Sequence, residues 1–300
     1  VLVPELLPEP PDSFRQLSLA ELVDFFKNPA RFFCRRRLGI QLERENGELP
    51  DSENFTLAGL ERYQLGSGIL DNLINGRGIA RDYLVEARRS GELPHGSVGQ
   101  AALAKLIGDV EAVAAKLPPK VAGLEPVGRE GVLDLAGFVL GGRVELLGGL
   151  GQLRYRFAKV KAADLSDAWL HHLFLQAIAP EEALVGTFLV GTDKAFSFGP
   201  VVDAQGILVD LLALYWQGLR QPLPLFPETS REYQERLGRG EPHAAALAHA
   251  LQKWEGKERT AGEGGEAYRQ LCYRGQNPLG VKFVDVAKVF WAPLLENCHG

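Results

Sequence analysis

Hydrophobic and polar positions fall into three regimes along the chain: a helical half, a strand-like middle and a second helical stretch. Residues 1–16 are a lead-in in which Pro4, Pro8, Pro10 and Pro11 forbid a helix. A helical period then starts cleanly. Ser18, with Glu21 three residues on, spells a capping box, and Leu19, Leu22, Val23 and Phe26 form the apolar stripe. Asn28-Pro29 punctuates, Pro29 suits the first turn of a second helix through Leu38, and Gly39 closes it. A polar loop covers 41–56. Helices are expected at about 57–73, 78–90 and 97–116, and Pro118-Pro119 ends this half.

From residue 121 the period shortens to two. Strands are expected at 121–127, 132–140, 143–147 and 152–160, between glycine clusters. Residues 165–179 return to helical spacing, with Trp169, Leu173 and Ala177 on one face. Two more strands read at 184–191 and 195–199, and an apolar helix at 208–219 stops at Pro222-Leu223-Pro224. Helices at 231–238, 242–254 and 283–295 follow, around a Gly- and Glu-rich loop at 255–266. This order predicts an α/β (α+β) core wrapped in helical extensions. Its portions are an N-terminal helical part (1–120), a mixed β core with embedded helices (121–226) and a C-terminal helical extension (227–300), all within one structural domain.

Composition changes this picture little. A chain of 300 residues, 46% hydrophobic and 24% charged, needs no disulfides to hold a core. A net charge of −5 and a pI of about 5.8 argue against a strongly basic nucleic-acid module and leave room for local basic patches. Cys34, Cys272 and Cys298 are odd in number and far apart. They make neither a disulfide framework nor a metal knuckle, which points to a reducing compartment. The best apolar run, 206–216, is interrupted by Asp210, so no membrane span is expected. The lead-in lacks the basic region of a signal peptide. There is no Met at all.

His171 and His172 are adjacent, so on a helix they point about 100° apart and cannot chelate one ion together. A structural or surface role is expected of them. His243 and His249, six apart, share no helical face either. No phosphate-binding loop, dinucleotide fingerprint or nucleophile elbow occurs. Arg31, Arg35, Arg36 and Arg37 form the densest positive cluster. It reads as a solvated face with snorkelling stems, or as a contact for phosphate or an acidic partner. Strand period two puts Arg154 and Arg156 on one sheet face. Two cations there repel unless solvent or an anion is near. An exposed edge strand accounts for that, and so does a repurposed metal site.

The second possibility has a family behind it. Gly142-Arg143-Val144-Glu145, then Arg154-Tyr155-Arg156, then the helix bearing Trp169 resemble the PD-(D/E)XK nuclease module at the C-terminal ends of RecB-type proteins. In that module the acids hold a divalent ion and a lysine assists the attacking water. Here Glu145 keeps an acid at the first place. Arg154 stands where the essential carboxylate belongs and would repel Mg²⁺. Arg156 keeps a basic group but cannot deprotonate. That pattern of loss is similar to the RecC (gamma) subunit family of exodeoxyribonuclease V, the RecBCD helicase–nuclease. Further segments resemble it in order: Phe25-Phe26-x-Asn28-Pro29-x-x-Phe32-Phe33, Leu93-Pro94-x-Gly96, Trp169-Leu170-x-His172-Leu173, Gly218-Leu219-x-x-Pro222-Leu223-Pro224 and Phe290-Trp291-x-Pro293-Leu294.

The resemblance implies a restriction-endonuclease-like core that no longer cuts, with Val1 inside a longer parent chain. It implies no catalytic residue and no metal, only the degenerate positions Glu145, Arg154 and Arg156. It implies no cofactor for this region, while the parent complex uses Mg²⁺ and ATP. Its implied partners are RecB-like and RecD-like subunits, a duplex DNA end and single-stranded DNA, in recombinational repair within the bacterial cytoplasm. DNA contacts are expected at Arg154, Arg156, Lys159, Lys161, Arg31, Arg35 and Arg36, and a strand-separating hairpin within 121–157. The alternatives are an active metal-dependent exonuclease whose ligands regroup from Asp134, Glu145 and Asp164, and a pure protein-interaction scaffold.

Overall fold

The Ser18–Glu21 box forms as its spacing requires. The Ser18 hydroxyl accepts the Glu21 N–H at 3.2 Å, and the Glu21 carboxylate accepts the Ser18 N–H at 3.0 Å. The computed structural model describes residues 6–42, 59–78, 96–183, 186–257 and 260–300. The box joins the short strand β1 (Gln16–Ser18) to helix α1 (Leu19–Lys27). Asn28 then caps α2 (Pro29–Arg37) by accepting the Arg31 N–H at 3.0 Å. Gly39, at φ +67°, ends α2 as a residue without a side chain can. Helices α3 (Gly59–Ile74) and α4 (Gly96–Ala114) follow. The helix expected at 78–90 lies outside the described residues, as does most of the 41–56 loop.

Strands β2 (Pro126–Leu135) and β3 (Phe138–Leu147) form one long antiparallel hairpin, and β1 pairs in parallel with the other edge of β3. The expected strand at 132–140 runs across the actual turn. That turn is Ala136-Gly137, with φ +49° and +81°, the two-residue geometry that matches strand twist. It lacks the Asn-Gly or Asp-Gly signature, so no local signal marks it. The expected break at Gly141-Gly142 is mid-strand instead. Gly142 is there for clearance: a β-carbon would come within 2.8 Å of the Leu19 side chain and 3.0 Å of the Phe174 ring.

A second sheet has the order β4-β5-β6-β9, from β4 (Gln152–Tyr155), β5 (Thr187–Val190), β6 (Ala195–Phe198) and β9 (Cys298–His299). The core is thus two small sheets rather than one. β4 and β5 are parallel, and the crossover between them holds α5 (Ala162–Ile178) and α6 (Pro180–Ala183). β4 is shorter than the expected 152–160, although the Arg156 N–H still reaches the Val190 carbonyl at 3.0 Å. Helices α7 (Ala204–Gly218), α8 (Pro227–Gly238) and α9 (His243–Glu255) follow. A minimal hairpin, β7 (Gly256–Lys257) and β8 (Thr260–Ala261), leads to α10 (Ala267–Tyr273) and α11 (Val281–Glu296). The sequence pattern missed α10, whose cap Glu266 is hidden at the end of a Gly- and Glu-rich run.

The main core gathers α1, the β2–β3 hairpin, α5, α7 and α11. At its centre α5 is buried almost all round: Leu165, Ala168, Trp169, Leu170, Leu173, Phe174 and Leu175 are all inaccessible. The expected face of Trp169, Leu173 and Ala177 is part of a wider buried surface, as suits a helix enclosed by several elements. Phe25 meets Phe26, Phe32 and Tyr215 edge to face, with centroids 5.0–5.5 Å apart. A second cluster packs α3 and α4 on Val121, Leu147, Phe157 and Val190. A small fourth cluster joins Ala30, Phe33 and Cys34 of α2 to Tyr268 and Cys272 of α10. The fold therefore brings together two cysteines that the spacing kept apart, with Sγ atoms 3.6 Å from each other.

Ala136→Asn gives the hairpin the residue its backbone favours. The expected outcome is a gain of about 0.5–1 kcal/mol, because an L-residue other than Asn or Gly pays about that much at positive φ. Urea midpoints at unchanged slope check it.

Candidate nucleic-acid interface

The two arginines of the candidate site are carried by β4 and faced by α5. Arg154 and Arg156 lie two apart on β4 and just beyond it, on one side of the strand as period two demands. Their mutual repulsion is answered from α5, where Asp164 and Asp167 stand three apart on the facing helix surface. Arg154 donates to Asp167 at 2.8 Å, and Arg156 donates to Asp164. Asp167 takes more than one cation. Lys27, the last residue of α1, reaches it at 2.7 Å, and the His171 Nδ1–H reaches its carboxylate at 2.9 Å.

Asp167 is 15% exposed and Arg154 29% exposed, so water screens this cluster only in part. Burial by itself pushes the Asp167 carboxyl up. Hydrogen bonding from His171 and the charges of Arg154 and Lys27 outweigh it and hold the group well below the usual carboxylate range. The neighbouring His172 is enclosed. Its Nε2–H donates to the Gly199 carbonyl at 2.8 Å, so its Nδ1 accepts from the Thr187 hydroxyl at 2.9 Å. Its ring stacks beside Trp169 and Phe198. Burial lowers its pKa to about 4, against the Gly199 carbonyl, which raises it. Neither histidine faces the other as a chelating pair, in keeping with their adjacency.

Glu145 is on β3, with a side chain 66% exposed and 4.0 Å from Arg143. It shares a cleft of about 450 Å³ with Arg143, Arg154, Tyr155 and His171. Glu145 and Arg154 are thus brought to one cleft. The acids considered as regrouped ligands are not. Asp134 pairs with Val139 in the ladder and Glu145 with Gly128. Val139 and Glu145 are six residues apart on β3, or about 20 Å at strand rise. Asp164 is held by Arg156. Among the described residues no group of three or more His, Cys, Asp or Glu side chains is placed to hold a metal ion.

The other candidate cations are scattered. Arg31 pairs with Asp24 at 2.6 Å and Arg36 pairs with Glu21, so both are tied back to α1. Arg37 donates to the carbonyls of Leu219 and Pro8. Arg35, Lys159 and Lys161 are exposed. Lys161 lines a separate cleft of about 720 Å³ with Lys27, Lys253, Lys257 and Arg236.

Asp167 and Lys27 escaped the sequence reading. The available signal was a pair of acids three apart on the helix that follows a strand with two arginines two apart. The N-terminus of α5 is likewise capped from afar. The Glu228 carboxylate accepts the Ala162 N–H at 2.8 Å. Glu263 in turn accepts the N–H groups of Glu228 and Thr229 at 3.2 and 2.7 Å, and Arg269 holds Glu263 at 3.3 Å.

Residues 14–238 match the family described as the RecC C-terminal domain. The chain belongs to that family. It is 26% identical over 290 residues to the RecBCD enzyme subunit RecC of Escherichia coli K12, covering 92% of this chain and 25% of that protein. It is 26% identical over 201 residues to RecC of Haemophilus influenzae, covering 63% of this chain and 17% of that protein. RecC of Mycolicibacterium smegmatis is 27% identical over 236 residues, covering 76% and 21%. The chain therefore spans about a quarter or less of these relatives. The RecC resemblance read from the motifs is thereby confirmed. Helices α9 to α11 lie beyond the matched stretch. No helix among the described residues is long and apolar enough to cross a membrane.

Asp167→Asn leaves Lys27 and Arg154 without their shared anion, and a loss of about 1–3 kcal/mol is expected because both cations keep partial access to water. The pH dependence has a definite sign. A carboxyl depressed in the folded state contributes fully above its unfolded pKa of about 4 and loses that contribution as pH falls below it. Wild-type stability should therefore fall more steeply below pH 4 than that of Asp167→Asn, as urea titrations at several pH values would show. The His172 ring should stay neutral at pH 5.5 in the folded chain, which ¹⁵N NMR reads directly.

Proposed function

We propose that this chain is a nuclease-like domain that does not cut, serving as a scaffold in a RecBCD-type helicase–nuclease and helping to split and channel duplex DNA ends during recombinational repair. The observation that supports it most is Arg154. The place where a metal-binding carboxylate belongs in the PD-(D/E)XK pattern is taken by a guanidinium ion-paired to Asp167. A fixed cation disfavours Mg²⁺ at that point. The element order around it favours the same ancestry. A hairpin precedes β4, and α5 then crosses over to the parallel strand β5.

In this reading the N-terminal portion (1–120), the β core (121–226) and the C-terminal extension (227–300) work as one unit. One hydrophobic core draws on residues as distant as Leu17, Leu133 and Leu294. Partners are RecB-like and RecD-like subunits. Phosphate contacts fall first to the exposed Arg35, Lys159 and Lys161. Arg31, Arg36, Arg154 and Arg156 reach DNA only by sharing or leaving their present acids. The separating hairpin is assigned to 121–157, where β2 and β3 are the longest paired strands among the described residues. A net charge of −5 makes DNA binding by the chain alone weak, so affinity depends on the assembled complex.

Co-purification with RecB-like and RecD-like subunits is the direct test, and failure of a well-folded chain to bind either would end this reading. Incubation with Mg²⁺ or Mn²⁺ and linear duplex should release no nucleotides. A signal abolished by Glu145→Ala would restore the nuclease alternative. In the assembled complex, Lys159→Ala with Lys161→Ala should weaken forked-DNA binding. It should also flatten the log–log salt dependence by about 1 to 2, as expected for the loss of two phosphate contacts. An unchanged slope would favour a pure protein scaffold.

A further inference from the structure

We propose that Cys34 and Cys272 are a modification site: a buried dithiol that a peroxide-class oxidant closes into a disulfide joining α2 to α10. The two residues are 238 positions apart, yet their sulfurs sit 3.6 Å from each other. Both side chains are buried, 0% and 1% exposed, among Ala30, Phe33 and Tyr268. A disulfide needs about 2.05 Å between sulfurs, so closure asks for an approach of about 1.5 Å. The residues on either side of Cys272, Leu271 and Tyr273, line an open cleft of about 750 Å³ together with Leu42 and Gln270. A small oxidant can thus come within one residue of the pair. α10 is only seven residues long, which makes its local opening easier than that of the long core helices.

With Cys272 as donor, the hydrogen bond lowers the Cys34 thiol below its ordinary range, against burial and the charge of Glu266. The same bond, with burial, pushes Cys272 far up. The contact is symmetric in geometry, since either sulfur can donate to the other, and the chemistry is written with Cys34 attacking first. In the first step the Cys34 thiolate attacks a peroxide oxygen. An S–O bond forms, the O–O bond breaks, and the leaving hydroxide takes a proton to become water, giving the sulfenic acid. In the second step the Cys272 sulfur attacks the Cys34 sulfur, the S–S bond forms, the S–O bond breaks, and a second water leaves with the Cys272 proton. Two thiols are oxidised and one peroxide is reduced to two waters. Cys298 is the internal contrast. Burial lifts its thiol to about 11, against Arg231, and none of its recorded contacts is to a second cysteine.

The experiment uses the whole chain. Hydrogen peroxide treatment, alkylation of remaining thiols and non-reducing peptide mapping should find one crosslinked Cys34–Cys272 peptide, with Cys298 alkylated. The oxidised chain should melt about 5–10 °C higher, a shift reversed by a thiol reductant. Either single variant, Cys272→Ser or Cys34→Ser, should lose the crosslinked peptide and leave its remaining partner as a sulfenic acid that dimedone labels. Mapping on the unmutated chain needs no variant to fold. Separate alkylation of both Cys34 and Cys272 after prolonged treatment with excess peroxide would overturn the proposal.

Discussion

A single buried carboxylate organises the centre of this structure. Asp167 sits where α1, β4 and α5 converge, and it balances a cation from each of the other two elements. Neither cation is tolerable without it. Arg154 would face Arg156 along one side of a strand, and Lys27 would end α1 against an apolar helix. A charge in partial burial is costly alone and stabilising only when its partners are complete. The docking of α1 on α5 and the placement of β4 beside it are thus conditions of one another.

The start of α5 is held by a chain of distant acids. Glu228 caps α5 from the first turn of α8, Glu263 caps α8 from the segment before α10, and Arg269 of α10 anchors Glu263. Each link satisfies backbone N–H groups that a helix leaves open at its N-terminus. The segment before α10, which lies beyond the matched family stretch, therefore supports the start of α5 through two helix ends.

Local features were legible in the sequence and distant ones were not. Ser18 and Glu21 announced their helix because both halves of a capping box lie within four residues. Arg154 and Arg156 announced a shared face because strand period is local. Asp167 is an ordinary acid on a helix until its partners arrive from Lys27 and Arg154. The Ala136-Gly137 turn was invisible because alanine carries no turn signal, while Gly142 imitated a break because its reason, clearance for Leu19 and Phe174, comes from elsewhere in the chain. Cys34 and Cys272 could not be paired from spacing, because 238 positions of chain separate them.

The broad apolar face of α5 has a consequence for how this molecule is made. Its covering comes from α1 early in the sequence and from α7 and α11 much later. Until the late helices are available, a sticky face stands exposed, and intermediates of that kind associate with one another. Assembly of the chain thus runs against a clock set by its own most central helix. Shortened versions that lack either flank are expected to accumulate as aggregates rather than as smaller folded pieces.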